Sequence, residues 1–174
     1  MANIYSVIID ADVARSSGTS IHPVSSGSRA LLDSVKSNRH KATMCKTLLA
    51  EWKHQRSLYA STWLSSMYSR KLVNRIEPKS ITKLLIQNNL TNDKSIDTAL
   101  KDAHIIDVAI EANGIIASND DKARKVFCEL GRSCGNLQSI IWFNPIRDKI
   151  PVANYLSSGC DASPQYYLIL ETTA

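Results

Sequence analysis

At 174 residues, 44% hydrophobic and 21% charged, the chain is long enough to bury a core and too apolar for an extended disordered polymer. No apolar run approaches the roughly 20 residues of a membrane span, and MANIYSVIID lacks the basic start, long apolar stretch and cleavage site of a secretory leader, so a cytoplasmic protein is expected. The formal net charge of +5 permits a polyanionic partner without requiring one; four scattered cysteines without CxxC or zinc spacing predict reduced thiols, and the missing GxGxxG and GxxxxGK[ST] patterns argue against dinucleotide enzymes and P-loop NTPases.

NIYSVIID is a short apolar, β-branched run and predicts a buried strand ending at Asp10. SSGTSIHPVSSGS reads as a loop, and SRALLDSVKSN as a helix with Ser28 as its cap. KATMC is a short strand. In CKTLLAEWKHQRSLYASTWLSSMYSRKLV, Leu48, Leu49, Trp52, Leu58, Tyr59, Trp63 and Met67 recur at helical intervals and predict one long helix or two. EPKSITKLLIQNNL predicts a helix with Pro78 near its first turn, and SIDTALKDAHIIDVAIEANG a helix with Gly114 just past its end. IIAS is a strand, DKARKVFCELG a helix stopped at Gly131, LQSIIWF a strand, PVANYLSSG a short helix and YYLIL a last strand. The alternation predicts an α/β fold with a central, mostly parallel sheet flanked by helices. A single domain over residues 1–174, with a C-terminal extension from about residue 145, is expected.

In open α/β sheets, function gathers beyond the carboxyl ends of the strands. Two predicted strands end in acid, at Asp10 and at Asp120, although either aspartate alone is a common turn residue. The chain reverses at Asn113-Gly114, so the start of the preceding helix and the end of the IIAS strand share one edge. That places Asp102 near Asp120; Asp107, about 7.5 Å further along the helix and about 140° around it, is less well placed. Glu51, on a helix beside an apolar face, is a fourth candidate. Asp121 suits the negative charge that opens a helix, a role placed ahead of metal binding.

The order and setting of VIIDADVA, LLAEW and DAHIIDVAIEANGIIASNDDKARKVF resemble the PIN domain, a FEN-like fold of metal-dependent nucleases. The resemblance implies a PIN-like α/β/α architecture and an acidic quartet of Asp10, Glu51, Asp102 and Asp120. It implies that Ser118 is the hydroxyl supporting the site. Asp12 stands where the family often has Asn, a departure that suggests a water-mediated metal contact. The tail IIWFNP…ANYLSSG loosely resembles larger bacterial PIN-like proteins. Hard divalent cations, Mg²⁺ or Mn²⁺, are the implied cofactors, because carboxylate oxygens suit them and a phosphodiester needs its charge neutralised. The implied activity is phosphodiester hydrolysis, with single-stranded RNA as the expected substrate and DNA as a second candidate.

Basic residues would then track the backbone. Arg15 and Lys122 are the preferred phosphate contacts, being near acids in sequence; Arg70, Lys71, Arg75, Lys79 and Lys83 form the densest basic stretch, and Arg124 and Lys125 stand with Lys122 beside the proposed site. For most of these a solvated helix face is the plainer reading. Among the histidines, His104 is the one to watch, two residues from Asp102. Trp52 and Trp63 lie in apolar helical patterns and read as core rather than base-stacking platforms. A haloacid-dehalogenase-like phosphatase is suggested by DAD at 10–12, but its later lysine and paired acids are hard to place. An inactive PIN-like scaffold that binds RNA or protein is the other class. Toxin, RNA-processing and antiviral roles stay open, as does a partner such as an antitoxin. A homodimer, if one forms, is expected to use the apolar helical segment 45–73.

Overall fold

Val7, Ile8 and Ile9 of the run SVII are buried because helices cover the sheet from both sides, and a strand covered on both faces is apolar along its buried length. The computed structural model describes residues 3–159 and 161–169. In chain order the elements are β1 (Ser6–Ile9), α1 (Ala11–Ser16), α2 (Pro23–Ser37), β2 (Lys41–Met44), α3 (Lys46–Gln55), α4 (Leu58–Ser69), β3 (Val73–Arg75), α5 (Thr82–Asn89), α6 (Asp93–Ala112), β4 (Ile115–Ala117), α7 (Asp121–Gly131), β5 (Ile141–Phe143) and α8 (Lys149–Ser158). The five strands pair in parallel in the order β3-β2-β1-β4-β5, with Val7 of β1 opposite Ala42 on one side and Ile115 on the other. The α/β fold with a central parallel sheet and flanking helices is therefore what the chain adopts. α6 packs on β1, β2 and β4, flanked by α5 and α7, while α2 packs with α4 and α8. No helix among the described residues is long and apolar enough to cross a membrane.

The chain leaves β1 in one direction to build β2 and β3, then crosses back to build β4 and β5. The order reverses between β1 and β4, where helices from opposite faces diverge and a crevice opens at the carboxyl edge. Asp10 follows β1 at that point, and Asp120 follows β4.

Several elements depart from expectation. The stretch read as a loop turns helical at Pro23: proline at the first helical position costs no hydrogen bond, and His22 Nδ1 accepts the Val24 N–H as the cap. Ser28 is thus buried inside α2 rather than capping it, with its hydroxyl 2.8 Å from that of Ser16. Gly27 belongs to this helix because a Cβ there would lie 2.9 Å from the Pro145 carbonyl oxygen. α5 begins at Thr82, beyond Pro78. Asn113, not Gly114, takes the left-handed conformation that ends α6, at φ 47°. Gly114 instead permits close packing, since a Cβ would lie 2.9 Å from the Ser6 carbonyl oxygen. In LQSIIWF only Ile141–Phe143 is strand, with a 3-10 turn at Gly135–Leu137 before it. YYLIL supplies no strand among the described residues: Tyr166 ends a 3-10 turn, Tyr167 makes one antiparallel bridge to Ile141, and Leu170 lies outside them.

Candidate active site

Asp10 is 8% exposed, and its Oδ2 accepts a 2.7 Å hydrogen bond from the Ser118 hydroxyl. The same hydroxyl oxygen accepts the Asp120 N–H at 3.1 Å, so Ser118 ties the ends of β1 and β4 together across the switch point. α1 turns immediately after Asp10 and brings Asp12 back over the crevice, where its Oδ2 accepts the Asn119 N–H at 3.0 Å. Trp52 Nε1 donates to the Ile9 carbonyl at 2.9 Å and fixes α3, and with it Glu51, beside the end of β1.

Asp102 lies in the middle of the 20-residue α6, not at a helix start. It still reaches the carboxyl edge. Ten residues back from the end of the helix is about 15 Å, and five residues forward from Ile115 along an extended chain is about 16 Å, so Asp102 and Asp120 come level.

Electrostatics tie the acids into one cluster. Burial, then the charges of Asp10 and Asp120, push the Asp102 carboxyl up to about 7. Burial, then Asp10, push Asp12 up to about 8. Burial also raises Asp10, against the opposing hydrogen bond from Ser118. His104 joins them through Glu51: burial lowers its basicity, but a 3.0 Å contact with Glu51 Oε2 and the charges of Glu51, Asp102 and Asp10 raise it overall.

Asp120 does a second job. Its Oδ1 accepts the N–H groups of Lys122 and Ala123 at 3.0 and 2.9 Å, which makes it the N-cap of α7. Asp121, in the first turn, pairs with Arg147 at 2.9 Å. Arg147 also grips the buried Asp148, which accepts the Asn144 N–H, so the end of β5 is tied to the start of α7. Sequence reading missed this Asn144–Arg147–Asp148 group, whose only local signal is the turn-forming Asn-Pro after β5.

The donor set is all oxygen, as a hard divalent cation requires. Asp12 Oδ1 and Asn119 Oδ1 are buried acceptors without a hydrogen-bond partner among the described residues, and a cation or its bound waters would satisfy such oxygens. Yet no group of three or more His, Cys, Asp or Glu side chains among the described residues stands at metal-holding spacing. Oxygens of three of the acids are engaged elsewhere: Glu51 on His104, Asp120 on the α7 cap and Asp10 on Ser118.

Arg15, in the last turn of α1, and Lys122, two residues after Asp120, are exposed at this edge. The basic stretch 70–83 divides: Arg70 and Lys71 precede β3 at the far edge, whereas Arg75 ends β3 and Lys79 and Lys83 follow at the carboxylate edge. Trp52, Trp63 and Trp142 are all core, so none offers a base-stacking face. His40 is buried, with Nε2 2.6 Å from the Leu156 carbonyl oxygen. Asp107 is buried away from the acid cluster; its Oδ1 accepts the Ile81 and Thr82 N–H groups and the Thr82 hydroxyl. Cys45, Cys128 and Cys134 are buried thiols, and Cys160 lies outside the described residues. No protein-family model matches the chain and no curated protein matches it, so the switch-point carboxylates are the basis for reading its function.

Proposed function

We propose that the chain is a PIN-like, divalent-metal-dependent nuclease that hydrolyses phosphodiester bonds in single-stranded RNA. The observation that carries this reading is the convergence of Asp10, Asp12, Asp102, Asp120 and Glu51 at the topological switch point, with Asp12 and Asp102 pushed far above the usual carboxylate range. Burial first, and the charges of neighbouring acids second, set this cost, which a purely structural cluster has no reason to sustain. Mg²⁺ or Mn²⁺, when bound, supplies charge neutralisation at the phosphate, an acidified water and a stabilised leaving oxygen. Asp10, Asp102 and Asp120 are the proposed holding residues, with Glu51 completing the set directly or through water. Ser118 orients the Asp10 carboxylate, and Asp12 adds an outer oxygen. His104 holds the Glu51 carboxylate in one orientation. Arg15 and Lys122 meet the phosphates that enter and leave the crevice.

A scaffold without turnover is the second reading, favoured by the acidic oxygens already engaged with protein groups and the absence of metal-holding spacing among the described residues. One experiment separates the two. Wild type, Asp10→Asn and Asp120→Asn are incubated with labelled single-stranded RNA and DNA and Mn²⁺. Cleavage by wild type that both substitutions abolish supports the nuclease. Metal binding by calorimetry without cleavage of either strand supports the scaffold, and cleavage that survives both substitutions removes these acids from the reaction. The nuclease reading implies a cytoplasmic toxin, RNA-processing enzyme or antiviral effector, with an antitoxin or other regulator as its protein partner.

A further inference from the structure

Beside the carboxylates, between the start of α3, the β3–α5 connection and α6, lies a cavity of about 270 Å³. Glu51 and His104 form its inner rim; Lys83 of α5, Lys101 of α6, Leu100 and the acidic Glu77 line it as well. We propose that this groove takes one unpaired nucleotide next to the cleaved phosphate, with Lys83 and Lys101 holding the backbone on either side of it. The proposal rests on the nuclease reading for its direction: the groove and the acid cluster share Glu51, so a strand lying in one passes over the other.

Three observations favour this occupant. First, the cavity volume of about 270 Å³ lies just under the lower end of the roughly 300–1,000 Å³ of ligand pockets, a size that suits a single base and sugar rather than a base pair. Second, the walls are fixed in advance. Asp107 Oδ1 holds the first turn of α5 through the Ile81 and Thr82 N–H groups and the Thr82 hydroxyl, which sets the backbone of Lys83 in place, and Glu77 in the β3–α5 connection accepts the Lys46 N–H at 2.9 Å, tying that connection to the start of α3. Third, the cations bracket the acids. Lys83 and Lys101 lie on the α5–α6 side and Arg15 and Lys122 on the α1–α7 side, so a polyanion is attracted to both flanks of a centre that repels it until a cation is bound. The lining contains no Phe, Tyr or Trp among the described residues, and the base would rest on Leu100, Pro78 and the His104 ring. Such a subsite reads strandedness more than sequence.

The test is equilibrium binding of a short fluorescent single-stranded RNA with Ca²⁺ in place of Mn²⁺, so that the carboxylates hold a cation while turnover is suppressed, across a salt series. Lys83→Ala/Lys101→Ala is compared with wild type, with Lys83→Arg/Lys101→Arg as the charge-conserving variant and Lys41→Ala, exposed at the entry of β2 on the far edge, as control. Thermal melts verify that each variant is folded. The double alanine variant is expected to bind about tenfold more weakly, with the slope of log K against log salt reduced by about 0.7 per lysine. The arginine variant and Lys41→Ala should bind like wild type, and the matching duplex should bind wild type and the alanine variant alike. Unchanged single-strand affinity and slope in the double alanine variant overturn the groove and leave the nuclease reading intact, provided that wild type still cleaves with Mn²⁺. Binding lost in that variant, from a protein that never cleaves, supports the groove and removes the nuclease. A wild type that binds no single strand, or that uses the two lysines equally for duplex, overturns the proposal.

Discussion

Asp120 has to satisfy two demands at once, and they fall on different properties of the side chain. Its Oδ1 caps α7, a task that any acceptor oxygen on a short side chain performs. Its proposed part in metal binding needs negative charge. Asp120→Asn separates them, because asparagine caps a helix about as well as aspartate. The variant should melt within a degree or two of wild type while Mn²⁺-dependent RNA cleavage is lost; a large drop in melting temperature would mean that the charge serves the fold. Asp121→Asn should do the reverse on a small scale. It leaves cleavage intact and loses a pair with Arg147 whose side chains are 52% and 48% exposed, a pair of the class contributing about 0.2–1 kcal/mol. Asp12 belongs to neither type: one oxygen receives the Asn119 N–H, the other is buried without a donor, and nothing about the fold explains the second.

At the scale of elements, α5 shows how the fold supports the groove. No side chain of its own caps it; the acceptor comes from Asp107 on α6. Asp107→Ala leaves the Thr82 N–H and hydroxyl buried without partners and frees the Ile81 N–H, costing about 3 kcal/mol. For a domain of this size that is a fall of roughly 6–12 °C in melting temperature. Asp107→Asn, which keeps an acceptor oxygen, should lose much less; equal losses from the two variants would show that volume rather than hydrogen bonding matters at this position. Asp107 also marks where sequence ceases to be informative. The sheet is legible in the chain because β1, β4 and β5 are apolar runs bounded by turns and helices, and the placing of Asp102 beside Asp120 follows from a helix and a strand that meet at a reversal. β3 is three residues long and α1 six, too short for a periodic pattern. The start of α2 is hidden in a serine- and glycine-rich stretch in which Gly27 is needed for close packing against residues 145 and 146. The cap that Asp107 provides, the Glu51–His104 contact and the Arg147 bridge join residues far apart in sequence, and no local signal announces them.

For the whole molecule, the carboxylate cluster should make stability depend on pH in a direction opposite to that of ordinary paired acids. Asp102 and Asp12 are raised from the usual 3.8 to about 7 and about 8, and Asp10 is raised as well. Between about pH 4 and pH 8 the folded metal-free protein therefore keeps protons that the unfolded chain has released, and stability falls as pH rises through that window. His104 adds to the same slope. Its folded basicity is raised above 6.5, so the stabilisation from its Glu51 contact is complete below that pH and is lost as pH climbs through the raised value. Divalent metal competes with those protons, so its stabilising effect should grow with pH. Melting temperatures in EDTA should fall from pH 5 to pH 8.5, and the increment given by Mn²⁺ should be small at pH 5 and largest at pH 8.5. Asp12→Asn and Asp102→Asn each remove a group that must be charged against its neighbours, so each should flatten the EDTA curve and raise the metal-free melting temperature at high pH. The two should part company on addition of Mn²⁺: Asp102→Asn loses the increment, because Asp102 is a proposed holding residue, while Asp12→Asn, which removes only an outer oxygen, keeps most of it. A metal-free curve that is flat in wild type, or that both variants leave unchanged, would show that neither burial nor neighbouring charge raises these acids in the folded protein, and the cluster would then give no reason to expect a cation at the switch point.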